Sequence, residues 1–431
     1  MKTTEKPIET YAGYVGLDWS SKEHVFCIYD AGTAKRTKKT LPNEPAALLL
    51  FLVELRGQFA NKPVLLGLEA TRASILPILL QHDFLRIILI NPKTANDFRQ
   101  MFRLSGVKSD DLDAYYICEL IRTHSEQFRI WQPHDPLTRQ LNACVERRRE
   151  LVDLRTQLAN MLYAALAASF PQLLALLHCK LTTPIASHFL HQWPTFELAQ
   201  AAGLPKLRAF FYKNNVRTSD QLEARLEQFA ASKPLLYAPE DRQPAGLYIK
   251  TLAAQLEELH RSIDQFETQI ADLVEKHPTA KLFRDVPGAG PQLKPRLAVV
   301  FGTQKDRFEW VDDITTYTGI APIKQSSGQT SVTCARWVRP IFIHQTWIEH
   351  ANCSIRSCDW ARAFYQMKRE AGKTHYQAVR ALAFKWIRVL YTCWSKDTPY
   401  NETIHLQNLQ KKSPKLWQRL QELEKNKAVN N

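Results

Sequence analysis

Long apolar runs are missing from this chain. No stretch approaches the roughly 18 apolar residues that a membrane-crossing helix needs, and the opening MKTTEKPIET is too polar for a secretory signal. No CxxC pair occurs among the eight scattered cysteines, Cys27, Cys118, Cys144, Cys179, Cys334, Cys353, Cys358 and Cys393. That pattern excludes a disulfide scaffold and gives the expectation of a reduced, cytoplasmic protein with no membrane partner. Acidic residues are in deficit, 43 against 57 Lys and Arg, which leaves a net charge of +14 and a pI near 9.3. Such an excess points to a polyanionic partner, of which nucleic acid is the usual one, with a basic soluble enzyme as the bland alternative.

What is present is enough for two or three domains: 431 residues, 45% of them hydrophobic. The N-terminal part alternates short strands and helices. Strands are predicted at 13–18, 24–30, 36–41, 64–69 and 86–90, and helices at 44–58, 73–82, 93–101 and 110–124. The first three strands are close enough to form an antiparallel meander, and the later ones, separated by helices, should be parallel. This is the ribonuclease H-like order. Residues 137–170 read as one long helix with Leu151, Leu154, Leu158, Met161, Ala165 and Ala168 on a face, and with Arg147, Arg148, Arg149 and Arg155 in or near its first half. Residues 171–245 read as helices broken at prolines and carry no recognisable chemistry. Ile249, Leu252, Leu256, Leu259, Ile263, Phe266, Ile270 and Leu273 repeat at spacings of three and four, a coiled-coil seam. Its Ile-rich and Leu-rich positions favour two paired helices, the partner being either the 137–170 helix or a second copy.

Asp18 ends the otherwise apolar strand Tyr14-Val15-Gly16-Leu17. Read alone, an Asp there is a turn or cap residue. Glu69, however, ends another apolar strand in VLLGLEATR, and Asp110 and Asp113 in KSDDLDAYYICEL lie three apart on one helix face, with Asp111 off it. In a ribonuclease H-like sheet the first and fourth strands are neighbours and the last helix packs across them, so these four acids converge. Crowded carboxylates repel and need cations. Hard oxygen donors suit Mg2+, and two ions about 4 Å apart hold the attacking and leaving oxygens of a phosphodiester. GLDWSS is also similar to the first phosphate loop of sugar-kinase and actin-like ATPases, but the second Asp-Gly loop and the Gly-rich adenosine loop those enzymes need are absent.

Taken together, VGLDWSSKEHVFCIYD, LGLEATR, KSDDLDAYYICEL, VPGAGP, YTGIAPIKQSSGQT and ARAFYQMKREAGKTHYQAVRALAFKWIRVLY follow the order of one family. The chain resembles the DEDD-type transposases of the insertion sequence 110 family, related to the pilin-gene invertase. The resemblance covers both ends and leaves only 171–245 without support. It implies an α/β ribonuclease H-like (RuvC-like) DEDD catalytic domain over 1–130, a helical coiled-coil linker over 131–278, a mostly α C-terminal transposase domain over 279–400, and a polar tail over 401–431. The family's four acids fall on Asp18, Glu69, Asp110 and Asp113, the catalytic and metal-binding set, and its nucleophilic serine on Ser327, with Ser326 adjacent. The family commonly has Lys after the Ser-Gly pair, where this chain has Gln329. Two Mg2+ ions are implied, with Mn2+ as the alternative and a single ion left open. The implied partners are donor and target DNA, a non-coding bridge RNA, and further copies of the chain as a dimer or tetramer that shares acids and serine between subunits. Action at the nucleoid follows.

A serine hydroxyl needs activation. No His adjoins Ser327 in sequence, so the acid cluster and its metal are expected to polarise the phosphate while Ser327 holds a 5′ phosphate; the plain reading of Ser327 is a turn residue. VPGAGP reads either as the hairpin of a helix-hairpin-helix, with Gly288 and Gly290 freeing N–H groups for phosphates, or as a tight connection. His344, His350, Cys353 and Cys358 match no standard zinc spacing and read as core Cys and surface His. Between 361 and 390 stand seven basic residues, Arg362, Lys368, Arg369, Lys373, Arg380, Lys385 and Arg388, against one acid, expected to meet RNA or DNA backbone. Phe364, Tyr365, Tyr376 and Trp386 among them read as core. Two alternatives remain: a RuvC-like nuclease that only hydrolyses DNA, and a non-catalytic RNA-binding scaffold.

Overall fold

A computed structural model describes residues 10–69, 75–102, 110–177, 181–216, 219–235, 238–327, 330–336 and 339–430. The chain divides into two compact units, 1–133 and 134–431.

The first unit holds a mixed five-stranded sheet. Its strands are β1 (Gly13–Trp19), β2 (Glu23–Asp30), β3 (Arg36–Pro42), β4 (Val64–Glu69) and β5 (Leu85–Ile90), in the spatial order β3-β2-β1-β4-β5. The three N-terminal strands pair antiparallel, and β4 is parallel to both β1 and β5. β1 and β4 lie inside the sheet and β5 at its edge, and all three are covered on both faces, so they are apolar nearly throughout. Helices α1 (Pro45–Gln58) and α2 (Ile75–Leu79) join a core with Val15, Leu17, Leu66 and Leu68 on one face. Helices α3 (Pro92–Phe102) and α4 (Asp110–His124) belong to the other, where Ile117 and Ile121 of α4 pack with Leu65, Ile88 and Ile90.

Among its described residues the second unit is helical save for one hairpin. The long helices α5 (Pro136–Ser169) and α10 (Pro239–Lys276) lie antiparallel: Cys144 Sγ reaches Gln269 and Arg148 pairs with Glu267 near one end, while Leu158, Leu162 and Leu166 share a core with Ile249, Leu252 and Leu256 at the other. The predicted seam of α10 is therefore covered by α5 of the same chain. On α5 the buried stripe differs from the expected one. Leu141, Cys144, Val145, Leu158, Leu162 and Leu166 are buried, whereas Leu154 and Met161 are exposed. The short helices α6 (Pro171–Leu177), α7 (Pro184–Gln192), α8 (Phe196–Lys213) and α9 (Ser219–Ala231) complete that core.

The remaining elements are α11 (Pro278–Leu282), α12 (Gly290–Phe301), α13 (Val311–Tyr317), the hairpin β6 (Ile323–Ser327) and β7 (Thr330–Cys334), then α14 (Ile341–Ser357), α15 (Asp359–Glu370), α16 (His375–Ser395), α17 (Glu402–Lys412) and α18 (Pro414–Asn430). Their core is built on the buried Trp347, Trp360, Trp386 and Trp394. The segment expected as a polar tail from 401 is a correction. It forms α17 and α18, whose Leu409, Leu416 and Leu420 are buried in this core, one apolar residue per turn sufficing for two short amphipathic helices.

Candidate active site

Asp18 lies inside β1, opposite Val25, and is not the turn residue. The β1–β2 turn is organised by Ser20, whose hydroxyl donates to Glu23 O and accepts from the N–H groups of Lys22 and Glu23. A turn carboxylate stands at the next connection, β2–β3, where Asp30 accepts from the N–H groups of Gly32 and Thr33. On the parallel neighbour, Leu17 is level with Leu68, which makes Asp18 and Glu69 the next residues on adjacent strands about 4.8 Å apart.

Side chains alternate along a strand, so Asp18 shares a face with Gly16, and Glu69 with Gly67. That face is covered by α4. A methyl group at Gly16 would come within 2.0 Å of Ala114 O, and one at Gly67 within 2.8 Å of Ile121. Cys118 Sγ donates to Tyr14 O at 3.3 Å. Gly16 therefore sits between residues 114 and 118 of α4, with the Cys118 side chain reaching back to residue 14, so the N-terminal part of α4 lies on the Asp18 side of Gly16. From Ala114, four helical residues rise about 6 Å and two strand residues about 6.6 Å, which carries the start of α4 toward Asp18. The Asp110 side chain lies outside the described residues. Asp113 is partly buried, its side chain 15% exposed, and accepts from Arg99 Nη1 of α3 at 2.5 Å, while Arg99 Nη2 donates to Asn96.

Among the described residues no three of His, Cys, Asp and Glu form a metal-binding group. Asp18 and Glu69, side by side on that face, nonetheless offer carboxylate oxygens, donors that fit a hard divalent cation.

In the second unit Ser327 is exposed as the last residue of β6, paired with Thr330 across the connection; Gly328 and Gln329 lie outside the described residues. Ser326 is also exposed and opposes Ser331, on the other face of the hairpin. The feet of this hairpin are fastened. Arg380 of α16 donates to Ile320 O and Ala321 O, Ala321 N–H donates to Thr315 O, and Arg339 donates to Arg336 O. His344 Nε2 bonds Tyr376 OH. Burial, with Arg339 and Arg380 nearby, lowers its pKa to about 4.

The other expected contacts divide. Arg362 donates to Ile355 O and Arg356 O, closing the end of α14, and Arg369 donates to Lys373 O, so with Arg380 these guanidinium groups serve the chain's own backbone. Lys373 and Arg388 are exposed. In VPGAGP, Gly288 has φ +74 and a Cβ there would come within 2.6 Å of Ser354 N, while His350 Nε2 donates to Pro287 O. The hairpin is thus docked on α14 through Gly288. Only Gly290, with φ +50, has open space beside it. His344 and His350, expected at the surface, are buried, and burial lowers the His350 pKa to about 4.

Two family profiles match in the order of these elements: a DEDD transposase profile over residues 15–171 and a profile described as "Transposase IS116/IS110/IS902 family" over residues 280–366. The chain belongs to the IS110 family of insertion-element transposases. Similar proteins include the "Mini-circle putative transposase for IS117" of Streptomyces coelicolor, 25% identical over 90% of this chain and 95% of the relative. The "Insertion element IS900 uncharacterized 42 kDa protein" of Mycobacterium paratuberculosis is 25% identical over 90% and 97%. The "Insertion element IS110 uncharacterized 43.6 kDa protein" of S. coelicolor is 24% identical over 90% and 95%. Membership implies a ribonuclease H-like fold for the first unit, with which the mixed sheet agrees, DNA strand-transfer activity, and dependence on a divalent metal. Among the described residues of this IS110-family transposase, no single helix is long and apolar enough to cross a membrane.

Proposed function

We propose that this transposase exchanges DNA strands through a covalent Ser327 intermediate assisted by its RuvC-like acid cluster. The observation that carries the reading is the face shared by Asp18 and Glu69, toward which the first turn of α4 runs. Asp18, Glu69, Asp110 and Asp113 would hold Mg2+, one ion or two, or Mn2+; when bound, it neutralises charge on the scissile phosphate and on the departing oxygen. The Ser327 Oγ–P bond forms as the P–O3′ bond breaks, and the serine's proton ends on the leaving 3′ oxygen. The 5′ phosphate stays on Ser327, so bond energy is kept and a new 3′ hydroxyl rejoins the strand by the reverse step, without ATP. A hairpin pinned at its feet and exposed at its end supports Ser327 over a plain turn role, because a nucleophile must be both held and reachable.

A non-coding bridge RNA pairing with donor and target DNA would choose the sites, with exposed basic residues such as Lys373 and Arg388 on the phosphates. A dimer or tetramer would combine acids from one copy with serine from another. Since α5 already covers the α10 seam, other surfaces would join the copies. The place of action would be the nucleoid.

The test mixes protein, flanking RNA, Mg2+ and end-labelled junction DNA, then looks for label on denatured protein. Label lost in Ser327→Ala and Asp113→Ala but kept in Ser326→Ala is the expected result. Cleavage without covalent label, indifferent to either serine, would leave a hydrolytic RuvC-like nuclease.

A further inference from the structure

A pocket of about 540 Å³ opens between α15, α16 and the start of α18, away from the hairpin and lined by residues of the second unit alone. Phe364 and Met367 form an apolar wall, and Lys368, Lys385 and Lys415 surround it. Ser413 and Pro414, where the 17-residue α18 begins, close one side. Among the described residues no carboxylate forms a salt bridge with these lysines. The nearby Glu370 is engaged by Arg419. Lys385 stands with Nζ 5.6 Å from the Phe364 ring centre and 6.0 Å from that of Trp360. Burial, then Arg388 and Lys368, lower its pKa, which is the situation of a cation lacking its anion.

We propose that this pocket takes one unstacked nucleotide of a single-stranded segment, its phosphate among Lys368, Lys385 and Lys415 and its base against Phe364 and Met367. The volume lies within the roughly 300–1,000 Å³ of ligand-sized pockets. Three cations without acids call for an anion, and an aromatic wall beside them accepts a base face of any sequence. A peptide carboxylate would satisfy the charge but would leave the Phe364 wall without a flat partner. The proposal rests on the reading that the second unit meets nucleic acid, and it adds a defined place where the strand is gripped.

The test uses the full chain and a fluorescent single-stranded RNA carrying 4-thiouridine, with a DNA strand of the same sequence containing 4-thiothymidine beside it. Affinity is measured across salt concentrations for wild type, Lys368→Gln/Lys415→Gln, and the control Lys206→Gln/Lys213→Gln. Melting curves confirm that each folds. Photocrosslinks should map to 364–371 or 413–416, and the pocket variant should flatten the salt slope by about 0.7, the share of one single-strand phosphate contact, with the control unchanged. Preference between the RNA and DNA arms identifies the strand that is held. Binding that survives in the pocket variant with an unaltered slope and crosslinks elsewhere overturns the pocket while leaving the nucleic-acid reading intact. Failure of wild type to bind either strand overturns both.

Discussion

A methyl group at position 16 would meet backbone, Ala114 O at 2.0 Å and Cys118 N at 2.4 Å, and backbone of a packed helix does not yield. At Gly67 the nearest atom is the Cγ2 methyl of Ile121 at 2.8 Å, with Ile117 Cγ2 and Ile90 Cδ1 at 3.2 Å, side-chain atoms that yield more readily than packed backbone. Gly16→Ala should therefore destabilise the first unit by about 3 kcal/mol, and Gly67→Ala by about 1 kcal/mol, in urea unfolding followed by fluorescence. Equal costs would mean that the contact at Gly16 does not set the seat of α4. Because this seat decides how far the start of α4 reaches toward Asp18, Gly16→Ala should also lower strand-transfer activity more than its stability loss explains.

At the scale of elements, the hairpin of Ser327 depends on one guanidinium that is not on the hairpin. Arg380 holds Ile320 O and Ala321 O with two hydrogen bonds, and its partly buried charge has no carboxylate in those contacts. Gln at 380 is shorter, uncharged and has a single donor nitrogen in place of the two that Arg380 uses. Arg380→Gln should raise amide hydrogen exchange across 320–334 by about tenfold, the effect of losing one or two charged hydrogen bonds, while exchange in α5 and α10 stays as in wild type. Uniform exchange across the unit would instead make Arg380 a general core residue. The α5–α10 pair shows where periodicity was legible. On α10 the polar residues leave a single apolar stripe. On α5 the second half is apolar on neighbouring stripes, and Leu158 fits both, so spacing alone could not choose Leu162 and Leu166 over Leu154 and Met161.

Across the whole molecule, buried histidines make stability depend on pH. Burial holds His134 at about 3 and His350 and His405 at about 4, all well below the ordinary 6.5. They are neutral in the folded chain, whereas the unfolded chain binds their protons below 6.5. Their contribution is thus intact above pH 6.5 and declines as pH falls toward 4. For the completely buried His350 the loss is at most about 1.4 kcal/mol per pH unit. The melting temperature of the second unit should fall between pH 7 and 5, and His350→Gln, less stable at pH 7, should show a shallower fall. A flat profile over that range would mean that these rings are protonated in place.

The strand order and the places of Asp18 and Glu69 could be read from sequence, because alternation along a strand and a carboxylate at its end are local facts. The seam of α10 was legible for the same reason. Three things depended on tertiary packing. Gly288 serves α14 because its missing Cβ leaves room for Ser354. Arg362, Arg369 and Arg380 bind backbone carbonyls, although as letters they match the exposed Lys373 and Arg388. The segment after 401, polar by composition, is held by Leu409, Leu416 and Leu420 in a tryptophan core assembled from helices far away in sequence. Composition counts charges and apolar residues; only packing decides which of them find partners inside the chain and which face outward.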